Sequence, residues 1–205
     1  KADVIAVSHN HYDHLDDLAM RAYLYKEETL VIVPLGLKSF FTQRGFSKVI
    51  EQDWWDETSV DGLTITTLPA VHFSGRGLFD GNTTLWASFA FKHADKNVWF
   101  SGDTANGEVF KEIGERHGPF DIAMIGIGAY EPRKFMRSVH ASPEDAIEMA
   151  KAIGARKTIG MHWGTIMLTP EAPFEPPKRF RQAAIDQKYG ECNALILKVG
   201  ETFSF

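Results

Sequence analysis

The sequence predicts a layered α/β fold with a mixed sheet. Short valine- and isoleucine-rich runs alternate with stretches of helical periodicity. The middle of the chain instead shows the period-2 pattern of antiparallel strands.

Taken in order, "DVIAVS" (3–8) reads as a strand and "LDDLAMRAYLYKEE" (15–28) as a helix; "TLVIVP" (29–34) is again a strand, "GLKSFFTQRG" (36–45) a helix and "KVI" (48–50) a strand. "LTITTLPAVHF" (63–73) and "TTLWASFAFKHADKNVWFSGD" (83–103) supply the antiparallel strands, with His93 to Asn97 as a polar turn. "NGEVFKEIGERHG" (106–118) returns to helix and "FDIAMIGIG" (120–128) to strand. "SPEDAIEMAKAIGA" (142–155) opens with Ser142 as N-cap, Pro143 at the first helical position and acids in the first turn. "KTIGMH" (157–162), "FEPPKRFRQAAIDQKYG" (174–190) and "NALILKV" (193–199) complete the alternation as strand, helix and strand. No repeat, low-complexity tract or linker divides the chain, so residues 1–205 are expected to form one domain.

With 205 residues, 44% apolar and 12% aromatic, the chain can bury a sizeable core. A net charge of −5 with scattered basic residues argues against nucleic acid as a partner. The single cysteine, Cys192, excludes a disulfide framework or a cysteine-rich metal site and is expected to be a small buried hydrophobe. No apolar run reaches the length of a membrane span, and the chain begins Lys-Ala-Asp rather than Met with no signal-peptide pattern, so its natural N-terminus is expected to lie outside this sequence. A cytoplasmic or peripherally membrane-associated protein is expected, with a homodimer as one option.

The stretch "VIAVSHNHYDHLDD" (4–17) carries the chemistry. A core histidine is normally alone, whereas His9, His11 and His14 crowd together with Asp13 straight after a strand. His72, Asp103 and His162 also follow strands, and His140 lies near the start of the capped helix. Carboxyl ends of strands converge in layered α/β folds, so these residues are expected to meet. Seven suit a two-metal centre: His9, His11 and His72 on one ion, Asp13, His14 and His162 on the other, and Asp103 bridging. Imidazole and carboxylate without thiolate favour zinc, with manganese or iron as substitutes, in an open rather than a structural site. Two such ions about 3.5–4 Å apart can lower the pKa of a shared water from about 15.7 toward about 7, which points to hydrolysis. His93, in the polar turn, and His117, at a helix end, read as solvated or structural.

The run "SHNHYDHLD", with His72, "SGDT" and "MHWGT" in that order, resembles the metallo-β-lactamase-fold hydrolases. Within that superfamily "VPLGL", "VIEQDWWDE", "FKEIGERHGPFD", "IGIGAYEPRKFM" and "MHWGT" resemble the phospholipases D that hydrolyse N-acyl-phosphatidylethanolamine, and their bacterial relatives. The resemblance implies an αββα sandwich. Members carry a substantial β-rich segment before the signature, which here begins at residue 9, so most of the N-terminal sheet layer is expected to be absent, leaving an exposed edge or apolar face.

The implied reaction is cleavage of a phosphodiester to phosphatidic acid and an N-acylethanolamine, with Asp13 and Asp103 positioning the attacking water. His140 is expected just outside the metal shell, binding the phosphoryl group or protonating the leaving alkoxide; Val139 stands before it where the animal enzymes have glutamine. Asp16 is expected to orient a ligand histidine, and Asp17 to be a first-turn helix carboxylate. Phe135, Met136, Tyr130 and the Phe40–Phe41 pair could line an apolar approach or serve as core. Arg133, Lys134 and Arg137 could meet anionic headgroups or be a solvated face. Trp54 and Trp55 are expected between layers. The rival readings are a same-fold hydrolase of a small soluble phosphate ester or lactone, a flavo-di-iron centre, disfavoured by His11, and a metal-stabilised scaffold.

Overall fold

The computed structural model describes residues 1–205. Ten strands form two sheets: a three-stranded one of order β1-β2-β3 and a seven-stranded one of order β10-β9-β8-β7-β6-β5-β4. The strands are β1 (Val4–Ala6), β2 (Leu30–Pro34), β3 (Lys48–Gln52), β4 (Glu57–Val60), β5 (Leu63–Leu68), β6 (Ser88–His93), β7 (Lys96–Phe100), β8 (Phe120–Gly126), β9 (Ala155–Met161) and β10 (Ala194–Leu195). Six helices join them: α1 (Asp17–Ala22), α2 (Lys38–Thr42), α3 (Val109–His117), α4 (Arg133–Met136), α5 (Pro143–Ala152) and α6 (Glu175–Asp186).

Side-chain alternation along the strands builds four layers. On β2, Val31 and Val33 pack with Leu37 and Phe41 on the helical side, while Ile32 between them joins Ile65 and Phe89 between the sheets. In β7, Trp99 turns toward Phe110 of α3, Ile147 of α5 and Phe180 of α6, whereas Phe100 packs inward. The result is an αββα sandwich whose largest core lies under α3, α5 and α6.

Both sheet layers are therefore present, and the expectation that most of the N-terminal layer is absent is wrong. That layer is not supplied ahead of the signature alone. β1 precedes it, and β2 and β3 follow it, pairing in parallel through short crossovers.

Other boundaries shift for local reasons. The first helix stops at Ala22 because α1 buries none of its residues, and an unsupported helix is marginal in water. Strand β4, "ETSV", escapes periodicity because it is a polar edge strand. The polar turn shrinks to Ala94–Asp95, since His93 already pairs with Lys96. The last strand is only two residues long. Helix α5 starts as expected: Ser142 and Asp145 form a capping box. Trp54 packs between the sheets, but Trp55 lies on the other face of the large sheet, stacked on His117 with Arg116 over it. Cys192 is exposed rather than buried. No helix is long and apolar enough to cross a membrane.

Candidate metal centre

The segments that follow β1, β5, β7 and β9 meet at one edge of the sandwich and bring together all seven residues singled out as ligands. His9 Nε2, His11 Nδ1, His72 Nε2 and an Asp103 oxygen form one group, and Asp13, His14, His162 and Asp103 a second, each with its ligand atoms within 4.8 Å of one another. In the first group His11 Nδ1 lies 2.9 Å from His9 Nε2 and 3.3 Å from His72 Nε2. In the second, Asp13 Oδ2 lies 3.4 Å from His14 Nε2 and 3.3 Å from His162 Nε2. Asp103 belongs to both groups. Its Oδ2 is 3.0 Å from His14 Nε2, 3.8 Å from His72 Nε2 and 3.9 Å from His9 Nε2, while Oδ1 is 3.4 Å from His162 Nε2.

These spacings fit divalent ions, since ligand atoms about 2.1 Å from a tetrahedral centre lie about 3.4 Å apart. A second observation agrees. His14 Nε2 and Asp103 Oδ1 are buried without a hydrogen-bond partner, although Nε2 lies 3.0 Å from Asp103 Oδ2 and Oδ1 lies 3.4 Å from His162 Nε2. Orphaned buried polar atoms are costly, and a cation between them removes the cost.

The surroundings fix the rings. Ser8 Oγ is 3.0 Å from His9 Nδ1, and His72 Nδ1 donates to the Val139 carbonyl at 2.8 Å, so both rings keep Nε2 for the site. This is the role expected of Asp16, whose carboxylate instead caps α1 by accepting from the Leu18 and Ala19 amides. Asp17 pairs with Arg21 and Arg44 at the start of that helix. Gly102 has φ +57°, and a Cβ there would lie 2.7 Å from Ser8 Cβ. Only glycine lets the Asp103 turn approach the His9 loop so closely. A Cβ on Gly128 would likewise meet the His162 carbonyl at 2.1 Å. His162 itself sits at φ +59°, an uncommon conformation for a residue with a side chain.

His140 packs against two of these imidazoles, with ring centroids 5.1 Å from His72 and 5.6 Å from His162. Phe73 covers His11 at 4.6 Å. Beside Asp13 and His162 opens a cavity of about 250 Å³ walled by Trp163, Ile166, Met167 and Leu168, with Glu171 at its side. Of the residues considered for an apolar approach, Phe135 is exposed and Met136 half-buried. Tyr130 and Phe41 are core, the Tyr130 hydroxyl donating to Glu175, and Phe40 lies under Arg44. Arg133 is engaged with the His140 carbonyl and Asp145, whereas Lys134 and Arg137 are exposed.

A family model described as the beta-lactamase superfamily domain matches residues 1–163. The chain belongs to the metallo-β-lactamase superfamily. It is 43% identical over 192 residues to N-acyl-phosphatidylethanolamine-hydrolyzing phospholipase D 1 of Caenorhabditis elegans, covering 88% of this chain and 54% of that protein. It is 37% identical over 191 residues to the mitochondrial N-acyl-phosphatidylethanolamine-hydrolyzing phospholipase D of Saccharomyces cerevisiae, covering 90% of this chain and 41% of that one. The chain thus spans about half the length of these curated relatives. Among solved structures, Igni18, a metallo hydrolase from Ignicoccus hospitalis, superposes with a TM-score of 0.74 at 23% identity, covering 100% of this chain and 81% of that one.

In this superfamily chain the ligand electrostatics set a pH dependence for the metal-free protein. Burial drives the His9 pKa down to about 2 and the His72 pKa down to about 4, from an ordinary 6.5. Below pH 6.5 the unfolded chain therefore binds protons that the folded one refuses, and stability falls as the pH drops toward those values. His14 behaves oppositely. Burial opposes its charge, but Asp103 and Asp13 outweigh burial and raise its pKa to about 9, so its contribution is present below pH 6.5 and lost as pH rises through 9. Asp13 and Asp103 are held below the ordinary carboxylate range, Asp13 by the imidazoles of His14 and His162 against it, Asp103 by its imidazole neighbours against the effect of burial, and both steepen the acid limb. The expected result is a melting temperature of chelator-treated protein that peaks near pH 6.5. A melting temperature that climbs steadily from pH 6.5 to pH 9 would show that His14 is not paired as described.

Proposed function

We propose that this chain is the catalytic domain of a dinuclear metal-dependent phosphodiesterase whose substrate is an N-acyl-phosphatidylethanolamine, cleaved to phosphatidic acid and an N-acylethanolamine. The observation that carries the reading is Asp103, one buried carboxylate shared by two ligand groups that each suit a borderline cation. On this reading His9, His11 and His72 hold one ion, Asp13, His14 and His162 the other, and Asp103 serves both, with zinc the ion best matched to the donors. Divalent ions bound there would activate water and offset the charge of a phosphodiester.

The chain's own groups do the rest. Asp13 and Asp103 accept hydrogen bonds from the attacking water and fix its direction. His140, packed between His72 and His162, is in place to contact the phosphoryl oxygens or to give a proton to the departing alkoxide. The cavity beside Asp13 and His162 offers room for one ester arm, and its Ile166–Leu168 wall suits an apolar substituent better than a sugar or nucleoside. The two phospholipase D relatives support the lipid assignment.

The test is elemental analysis of the purified chain, followed by assays on vesicles of N-acyl-phosphatidylethanolamine and on bis-p-nitrophenyl phosphate. Two metal equivalents with release of N-acylethanolamine are expected. Turnover of the soluble diester alone would move the substrate to a small phosphate ester, and a metal-free, inactive protein would overturn the reading.

A further inference from the structure

The segment Phe73–Asn82, between β5 and β6, directly follows the proposed ligand His72 and is fastened at Gly75 and Arg76 to the loop that holds four others. The geometry points to Arg76 as the residue that holds the His9–His14 loop in its metal-binding shape, an inference that rests on the ligand assignment above.

That loop has no helix or strand of its own between Ala6 and Asp17. Its His11 carbonyl accepts from the His14 and Leu15 amides, but the Asn10 and Leu15 carbonyls need partners from elsewhere if four ligands are to keep fixed directions. Arg76 Nη1 donates to the Asn10 carbonyl at 2.8 Å and to the Leu15 carbonyl at 2.6 Å. A guanidinium NH2 group carries two hydrogens in one plane, one for each acceptor, so a single nitrogen ties the two ends of the ligand run together. The tie is returned from the other side. Asn10 Oδ1 accepts from the Gly75 amide at 2.7 Å, and the Tyr12 hydroxyl donates to the Arg76 carbonyl at 2.9 Å.

The arginine is itself held still. Its guanidinium lies 4.1 Å from the centre of the Tyr12 ring and 5.7 Å from that of Phe40. Its own amide, with that of Gly77, donates to the Asp80 carboxylate at 2.7–3.1 Å, which closes a tight turn under it. A permanent cation beside a metal-binding loop opposes cation binding by simple Coulomb repulsion. The demand for two coplanar donors from one rigid head explains why arginine stands there despite that cost.

Arg76 is on this reading a positioning residue, and the decisive readout is metal affinity. With zinc competed against a chromophoric chelator, Arg76→Met is expected to bind roughly 10–100-fold more weakly than the parent chain. Arg76→Lys, which can offer a charge but not the planar pair of donors, is expected to fall between them, and added guanidinium ion to restore part of the affinity in Arg76→Met only. At saturating zinc the KM for bis-p-nitrophenyl phosphate should stay near that of the parent. Unchanged zinc affinity with a raised KM would overturn the inference and place Arg76 on the substrate. Unchanged affinity with a lowered melting temperature of the metal-free protein would overturn it in favour of a purely structural role. A parent chain that binds zinc but cleaves no diester would sink the reaction proposed above while leaving this comparison intact.

Discussion

Asp103→Asn is expected to lose at least one of two bound metal equivalents and to lower phosphodiester turnover about 10³-fold, the equivalent of several kcal/mol of charge stabilisation. Asparagine keeps the volume of the side chain, so the fold has no steric reason to change. What it removes is the one negative charge within 3.9 Å of four imidazoles. Its Nδ2 also carries hydrogens where Asp103 offers an oxygen lone pair, so one of the two atoms that reach the ligand groups can no longer hold a cation. Burial opposes the charge of Asp103, but the neighbouring imidazoles His14, His162 and His140 hold its pKa down, so the loss is of a full charge and not of a neutral acid. Elemental analysis and turnover of bis-p-nitrophenyl phosphate check the prediction, with circular dichroism to show that the variant is folded. A variant that still holds two equivalents and stays within tenfold of the parent would sink the shared role of Asp103.

The convergence of the seven residues could be read from the sequence because metal chemistry needs particular residue types at the ends of particular strands. The spacing of His9, His11, Asp13 and His14 is local, and each of His72, Asp103 and His162 follows an apolar run long enough to be recognised as a strand. Pattern reading failed where the determinant was tertiary. Which sheet a strand joins depends on its partners, and "TLVIVP" and "KVI" give no sign that they build the layer thought to be missing. Asp16 resembles a ligand-orienting carboxylate in one dimension and caps a helix in three. The Val139 carbonyl acts on His72 and Arg76 on the His9–His14 loop through contacts between segments more than 60 residues apart. Arg76 had one faint signal, a cation in the glycine-flanked "SGRG" directly after a ligand histidine. Periodicity also cannot separate Tyr130 and Phe41, both fully buried, from the exposed Phe135, since an aromatic in a short segment looks alike in core and on a rim.

Gly102→Ala tests the packing beneath the same carboxylate and is expected to destabilise the protein by about 2–5 kcal/mol. Two independent terms make up that figure. A residue with a Cβ at φ +57° costs about 1–2 kcal/mol in the left-handed region. The new methyl would also lie 2.7 Å from Ser8 Cβ and 2.9 Å from the Ala87 carbonyl, a close approach that costs typically about 1–3 kcal/mol in a packed interior. For a chain of this length, that corresponds to a melting temperature lowered by roughly 10 °C. Relief of the closer contact, with Ser8, has two directions. Displacing the Ser8 backbone moves the partner of His9 Nδ1, and displacing the turn moves Asp103, so either route should weaken metal binding as well as folding. The comparison is between Gly102→Ala and Gly200→Ala, since Gly200 also has positive φ but a methyl added there would meet nothing within 4 Å. The first is expected to lose stability and zinc affinity together, the second to lose a little stability alone. Equal zinc affinities in the two variants would mean that the Ser8–Gly102 contact does not position the ligands.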